Sequence, residues 1–230
     1  MPNWCTNTVT MKDLVERVIK RNEKGEPVFD FNDILPMPED LNVSAGSNNE
    51  QDIMLYLTEN LTVPLESLSE DKKEILDEYV TNHFGGDSWH STIWKRCEAI
   101  PAEDRERRMK DGEHLVNNIQ KYGCMTWYEW CSSVWGTKWN ACSTYVEDGE
   151  PDTVEFDTAW APPAGVLEAL SKKYPDDTLT CEWHEEGGTY GRFVLLNGQC
   201  IEHSEGEWTW DEEDEVDYIE EEVDEEHEEE

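Results

Sequence analysis

The sequence is poor in basic residues: 18 Lys+Arg stand against 55 Asp+Glu in 230 residues, a formal net charge of -37 at pH 7. So acidic a chain repels DNA, RNA and anionic membrane surfaces over a Debye length, which excludes direct nucleic-acid binding as its main activity and leaves cations or basic proteins as partners. No apolar run approaches ~18 residues, so no transmembrane helix is expected. The opening Met1-Pro2-Asn3-Trp4-Cys5 has neither a basic nor an apolar segment, so it is not read as a signal peptide. The seven cysteines (Cys5, Cys97, Cys124, Cys131, Cys142, Cys181, Cys200) include no C-x-x-C pair. In an odd number and without metal-ligand spacing, they read as small apolar fillers of an intracellular chain. The nucleophile elbow, the Walker loop, H-E-x-x-H and the dinucleotide fingerprint are also absent. Hydrophobic residues make up only 37%, yet 11 Trp, 8 Tyr and 5 Phe exclude a fully disordered protein.

The acids that are present are unevenly placed. Residues 211–230 hold fifteen of them (Asp211, Glu212, Glu213, Asp214, Glu215, Asp217, Glu220, Glu221, Glu222, Asp224, Glu225, Glu226, Glu228, Glu229, Glu230) and no Lys or Arg. Forty acids then remain against eighteen bases, so residues 1–210 still carry -22. The terminal stretch is expected to be disordered alone, because it has little apolar surface and repels itself. As a helix it would present one negative charge per ~2 Å, near the ~1.7 Å of duplex DNA; as an extended chain, one per ~4.4 Å, near the ~3.4 Å of a single strand. Either way it can imitate a polyphosphate; the plainer alternative is a solubilising tail. The only locally basic stretch is Arg105-Glu106-Arg107-Arg108-Met109-Lys110.

Periodicity gives the elements. Trp4–Met11 reads as a strand. Leu14, Val15, Val18 and Ile19 give a helix over 13–21, and Val28–Phe31 a short strand. Helices are expected over 52–58, over 70–84 with Ser69 as cap and Gly85-Gly86 as stop, and near 103–121 with Gly123 beyond its end. Thr126-Trp127-Tyr128-Glu129 is a capping box, and Trp127, Trp130, Cys131 and Val134 follow at helical spacing. The aromatic cluster at 127–139 is either a helix-to-sheet junction or a ligand platform. Strands are expected at 139–147 and 153–160, a helix after Pro162-Pro163, and strands at 178–185, 192–196 and 199–202, the last two joined by Asn197-Gly198, a two-residue hairpin signal. The order β-α-β, helical insert, β-β-α-β-β is that of an α+β protein with a mainly antiparallel sheet.

Four motifs then stand in order: Met1-Pro2-Asn3-Trp4-Cys5-Thr6-Asn7; Phe31-Asn32-Asp33-Ile34-Leu35-Pro36-Met37-Pro38-Glu39; Trp135-Gly136-Thr137-Lys138-Trp139-Asn140; and Phe156-Asp157-Thr158-Ala159-Trp160-Ala161-Pro162-Pro163. Together they resemble the YubB-type ferredoxin-like domain family of bacterial, plasmid and phage proteins, over residues 1–41 and 122–204. The resemblance implies a split βαβ sheet with helices on one face, and a signature set of Trp4, Trp135, Gly136, Thr137, Lys138, Trp139, Phe156, Asp157 and Trp160. It implies no catalytic residue. The chain is thus expected to comprise a ferredoxin-like domain over 1–204, with a helical insertion at about 42–135, and an acidic tail over 205–230.

Candidate chemistry is sparse. His83 and His90 flank a Gly-Gly loop, but no Cys lies at zinc spacing, so no metal is expected. Asp157 sits between aromatic residues, where a carboxylate is either perturbed or, as a polar strand residue, faces water or bonds Lys138. Cys181 and His184 on one strand would face opposite ways, which does not suit a nucleophile and its base. No cofactor and no catalysis are expected. The leading expectation is an inhibitory binding protein of a phage or mobile element, acting in the host cytoplasm. Its carboxylates would replace phosphates on a basic groove of a restriction, CRISPR or other nuclease complex, with Trp208, Trp210 and the acids from Asp211 to Glu226 as contacts. A host-regulatory adaptor that uses its tail only for solubility is the alternative. A nucleotide-binding protein stacking bases on Trp127–Trp139 is a third reading, which the charge disfavours.

Overall fold

A computed structural model describes residues 2–76 and 89–207. The central strand is β1 (Trp4–Thr10), which pairs antiparallel with β5 (Thr153–Ala159) on one side and β6 (Leu179–Glu185) on the other. With β4 (Cys142–Tyr145), β7 (Thr189–Leu196) and β8 (Gln199–Glu207) the sheet runs β4-β5-β1-β6-β7-β8, antiparallel throughout. β1 is therefore parallel to β4 across β5, and β5 is parallel to β6 across β1. Two interleaved split βαβ units result, which is the ferredoxin-like arrangement with a β7–β8 extension at one edge.

Period-2 patterning builds this sheet. Cys5, Asn7 and Val9 of β1 are fully buried, whereas Thr6, Thr8 and Thr10 face the other side. The buried side carries Val154, Phe156, Leu179, Cys181, Phe193 and Leu195. Two crossover helices cover it. The first is α6 (Trp127–Trp130), continued by a π-helical turn over Cys131–Trp135; the second is α7 (Ala164–Lys173). Trp130, Cys131 and Trp135 from the first and Val166, Leu167 and Leu170 from the second complete the core. Gly165 sets how closely they approach, since a Cβ there would lie 1.9 Å from the Val134 carbonyl oxygen.

Between β1 and α6 lies an excursion with a core of its own. After the single turn α1 (Leu14–Val18), β2 (Ile19–Arg21) and β3 (Pro27–Phe29) form a small hairpin, and helices α2 (Asn49–Leu57), α3 (Glu70–Leu76), α4 (Trp89–Glu98) and α5 (Ala102–Tyr122) follow. Ile53, Met54, Leu57, Ile93, Leu115 and Ile119 bury one another there, apart from the sheet core. α2 crosses α5 at Gly112, where a Cβ would fall 2.0 Å from the Asp52 carbonyl oxygen.

Several expectations are corrected. The helix read over 13–21 stops at Val18, because Ile19 turns extended (φ -90, ψ 124) to pair with Phe29. α4 carried no expectation. The strand read over 139–147 is four residues long, broken by a register shift and by Ser143 at φ 51. Residues 127–135, read with the helical insertion, pack instead on the sheet through Trp130, Cys131 and Trp135. The tail read from residue 205 begins later, since β8 runs through Glu207. The helix read over 70–84 is present from Glu70 to Leu76; its remainder and its Gly85-Gly86 stop lie outside the described residues. The Asn197-Gly198 turn is as read, both residues left-handed at φ 51 and φ 70.

Candidate binding surface

Antiparallel pairing brings the start of β1, the end of β5 and the entry to β4 to one end of the sheet: Trp4 lies opposite Ala159, and Cys142 opposite Asp157. Three of the four sequence motifs therefore converge. Their small and buried members build the scaffold. Thr137 Oγ1 donates to the Ala159 carbonyl (2.9 Å) and accepts from the Ala159 N–H (3.1 Å), tying the third motif to the fourth. Gly136, at φ 88, lets the chain turn against Pro162 and Ala164. Trp135 donates from Nε1 to the Leu35 carbonyl (2.8 Å) and meets Phe31 edge-on; Phe31 and Phe29 in turn pack on Phe156. The second motif is locked on through Asn140, which accepts from the Phe31 N–H (2.9 Å) and donates to Asp30 Oδ1 (2.7 Å). Burial alone would raise the Asp30 carboxyl, but hydrogen bonds from Asn140 and from the Asn32 backbone and side chain hold it below the usual range.

The larger members reach the surface. Trp139 and Trp160 are 37% and 45% exposed, and the Trp4 and Trp139 ring centroids lie 6.1 Å apart. The Lys138 ammonium lies 4.6 Å from the Trp139 ring, 5.2 Å from Trp160 and 5.3 Å from Tyr128. A cation is thus held against three aromatic faces, an arrangement worth about 0.5–1 kcal/mol per contact at exposed sites. Trp160 sits at φ 70, a left-handed geometry that a bulky residue rarely adopts, and its N–H donates to the Asn3 carbonyl (2.9 Å). Tyr128 was not singled out from sequence. Its signal was its place in the capping box, two positions before buried Trp130 and so on the opposite face of the turn.

From this end the open face of the sheet runs to β8. Asp157 accepts from Thr6 Oγ1 (2.9 Å) rather than bonding Lys138, whose ammonium lies over the rings. Arg192 is held between Glu182 (3.5 Å) and Glu202 (2.9 Å), beside a shallow hollow of about 330 Å³ whose lining includes Thr8, His184, Tyr190 and Ser204. Several cations elsewhere are paired within the chain. Arg17 meets Asp177, Lys20 Asp33, and Lys121 Asp40. The basic stretch lies in α5, where Arg107 meets Asp104 and Asp111, Arg108 the nearly buried Asp52, and Lys110 Glu106, while Arg105 donates to the Glu98 and Ile100 carbonyls.

Burial disfavours the thiolate form of six of the seven cysteines. Burial pushes the Cys5 and Cys97 thiols up to about 12 and those of Cys124 and Cys131 to about 11, and it raises Cys142 and Cys181 as well. Cys181 is buried on the helix side of β6 while His184 is exposed on the open face, so the strand separates them. Among the described residues no group of three or more His, Cys, Asp or Glu side chains is placed to hold a metal ion, and no helix is long and apolar enough to cross a membrane. His83, the side chain of His90, Trp208, Trp210 and the acids from Asp211 to Glu226 lie outside the described residues.

Fold and strand order define a ferredoxin-like domain protein. Residues 135–229 match the family described as the ferredoxin-like domain in Api92-like protein, a span that takes in β4 to β8 and the Lys138–Trp160 cluster. Among solved structures the chain is similar to that of a protein api92 from Yersinia pseudotuberculosis, at 15% identity and a TM-score of 0.36, over 91% of this chain and 99% of that one. No curated protein matches.

Proposed function

We propose that this is a non-catalytic binding protein of the YubB type, made by a phage or mobile element, which works in the host cytoplasm by occupying a basic groove of a nucleic-acid-processing or defence enzyme. The observation that carries this reading is the charge arrangement. The body alone bears -22, and among the described residues eleven of its eighteen cations are paired with carboxylates of the same chain or laid over aromatic rings. A partner therefore meets uncompensated carboxylates, which take the place of phosphates opposite its Lys and Arg. The exposed rings of Tyr128, Trp139 and Trp160 supply what charge alone lacks, a rigid aromatic anchor. The test is a pull-down from bacterial lysate at about 50 and about 500 mM salt, followed by a nuclease assay of the captured enzyme with added protein. Capture at low salt with loss of nucleic-acid binding by that enzyme is expected; capture that is indifferent to salt overturns the mimicry.

One observation favours a second reading. Among the described residues three of the exposed large hydrophobic side chains, Tyr128, Trp139 and Trp160, gather around Lys138 at one end of the sheet, as an adaptor with a single docking site would have. Removal of 208–230 together with charge reversal on the open sheet face separates the two: an adaptor keeps its partner, a mimic loses it.

A further inference from the structure

We propose that β8 is a docking edge that takes up an extended, basic segment of a partner protein by strand addition. The inference rests on the charge-recognition reading above and gives it a location. The two edges of the sheet are built differently. β4 is four residues long, its register shifts between Cys142 and Tyr145, and Thr144 Oγ1 accepts the Phe29 N–H (3.4 Å), so that edge is short, bent and covered. β8 is nine residues long, and from Glu202 to Glu207 it runs in unbroken register against Val194–Thr189. It contains no Pro and no Lys, the residues that commonly blunt an edge. Every residue but Gly206 is exposed. Gly206 lies under the Tyr190 ring, where a Cβ would fall 2.6 Å from the ring. Among the described residues β8 pairs with β7 alone, so alternate residues direct their N–H and C=O groups outward.

Charge chooses the occupant. Glu202, Glu205 and Glu207 line the edge; Arg192 meets the first, and His203 Nε2 lies 3.0 Å from the second. A second copy would set these acids against their own equivalents, and the acidic stretch that follows in the sequence would do the same. A strand with Lys or Arg at every second position instead places cations beside Glu205 and Glu207, on the face these two share, and its intervening residues beside Ser204 and Gly206 on the other.

The test uses the full chain and a blocked nine-residue peptide of alternating Lys and Val, in three forms: unmodified, N-methylated at every Val, and N-methylated at every Lys. All three carry the same charge, but each methylated form loses the amide donors on one side. Strand addition predicts that one methylated form binds about tenfold or more weakly than the unmodified peptide while the other keeps its affinity, about 1.4 kcal/mol apart. It also predicts slowed amide exchange over 199–207, and weaker binding by Glu205→Lys/Glu207→Lys. Equal binding of all three forms overturns the edge proposal and leaves charge recognition standing; no binding of any form sinks both. A dimer in sedimentation, or protection of 199–207 without peptide that disappears when 208–230 are removed, overturns the proposal in favour of the chain's own occupants.

Discussion

Two buried side chains show how much single residues specify here. Asn7 stands on the core face of β1, where an apolar residue would satisfy the pattern. Its Nδ2 donates to the Cys5 carbonyl (2.9 Å), the Phe156 carbonyl (3.2 Å) and Thr158 Oγ1 (2.8 Å). Asn7→Ala removes these bonds from a dry core and leaves a cavity, so a loss of about 2–4 kcal/mol is expected in urea denaturation. Two carboxyls titrate with opposite sign. Asp30 is held below its unfolded value, so its contribution is present above about pH 4 and is lost as pH falls through its folded pKa. Asp52 is the reverse: burial outweighs the pull of Arg108 and pushes it up to about 6. The folded state then holds that proton more tightly, so stability from Asp52 grows as pH falls from about 7 to about 4. Stability against pH should lose that rise in Asp52→Asn and lose the acid-side fall in Asp30→Asn. Trp160 makes a third case. At φ 70 glycine is unstrained and alanine is not, so Trp160→Gly should be more stable than Trp160→Ala by about 1 kcal/mol, while both lose the exposed ring. If both also lose the partner to the same extent, the ring binds and does not merely fold.

Elements in this protein are placed by close backbone crossings as much as by amphipathic faces. Gly112 and Gly165 each put a helix against a carbonyl of its neighbour, at distances no Cβ can occupy. Gly165→Ala should loosen the sheet core and Gly112→Ala the helical excursion, each by about 1–3 kcal/mol; two transitions in calorimetry of the second variant would show that the two cores melt apart. These crossings also explain what the sequence made legible. Strands of period 2 and the Asn197-Gly198 turn were readable because their signals are local; the four motifs were visible as short runs, but only the strand pairing brings three of them to one sheet end. The β2–β3 hairpin was not readable: Leu14 to Ile19 carries helical spacing, and only pairing with Phe29 ends the helix. Nor was the Lys138 site, since Tyr128 reaches it from a different element. α6 looked like part of the insertion because its aromatic face gives no sign of which core it joins.

At the scale of the whole molecule, charge works against the fold and for the partner. A net -37 at pH 7 repels itself in the compact state, and added salt screens that repulsion. Melting temperature at neutral pH should therefore rise between about 20 and 200 mM salt, whereas affinity for a basic partner should fall over the same range. The two slopes have one cause and opposite signs, which makes them a joint test. The partner slope is measurable before any partner is named, with the alternating Lys-Val peptide as probe. If the carboxylates act as a phosphate substitute, its affinity falls with salt while the protein grows more stable, so unfolding cannot account for the loss. If salt raises stability and leaves affinity unchanged, the contact is made by the rings at the sheet end, and the surplus carboxylates serve solubility alone.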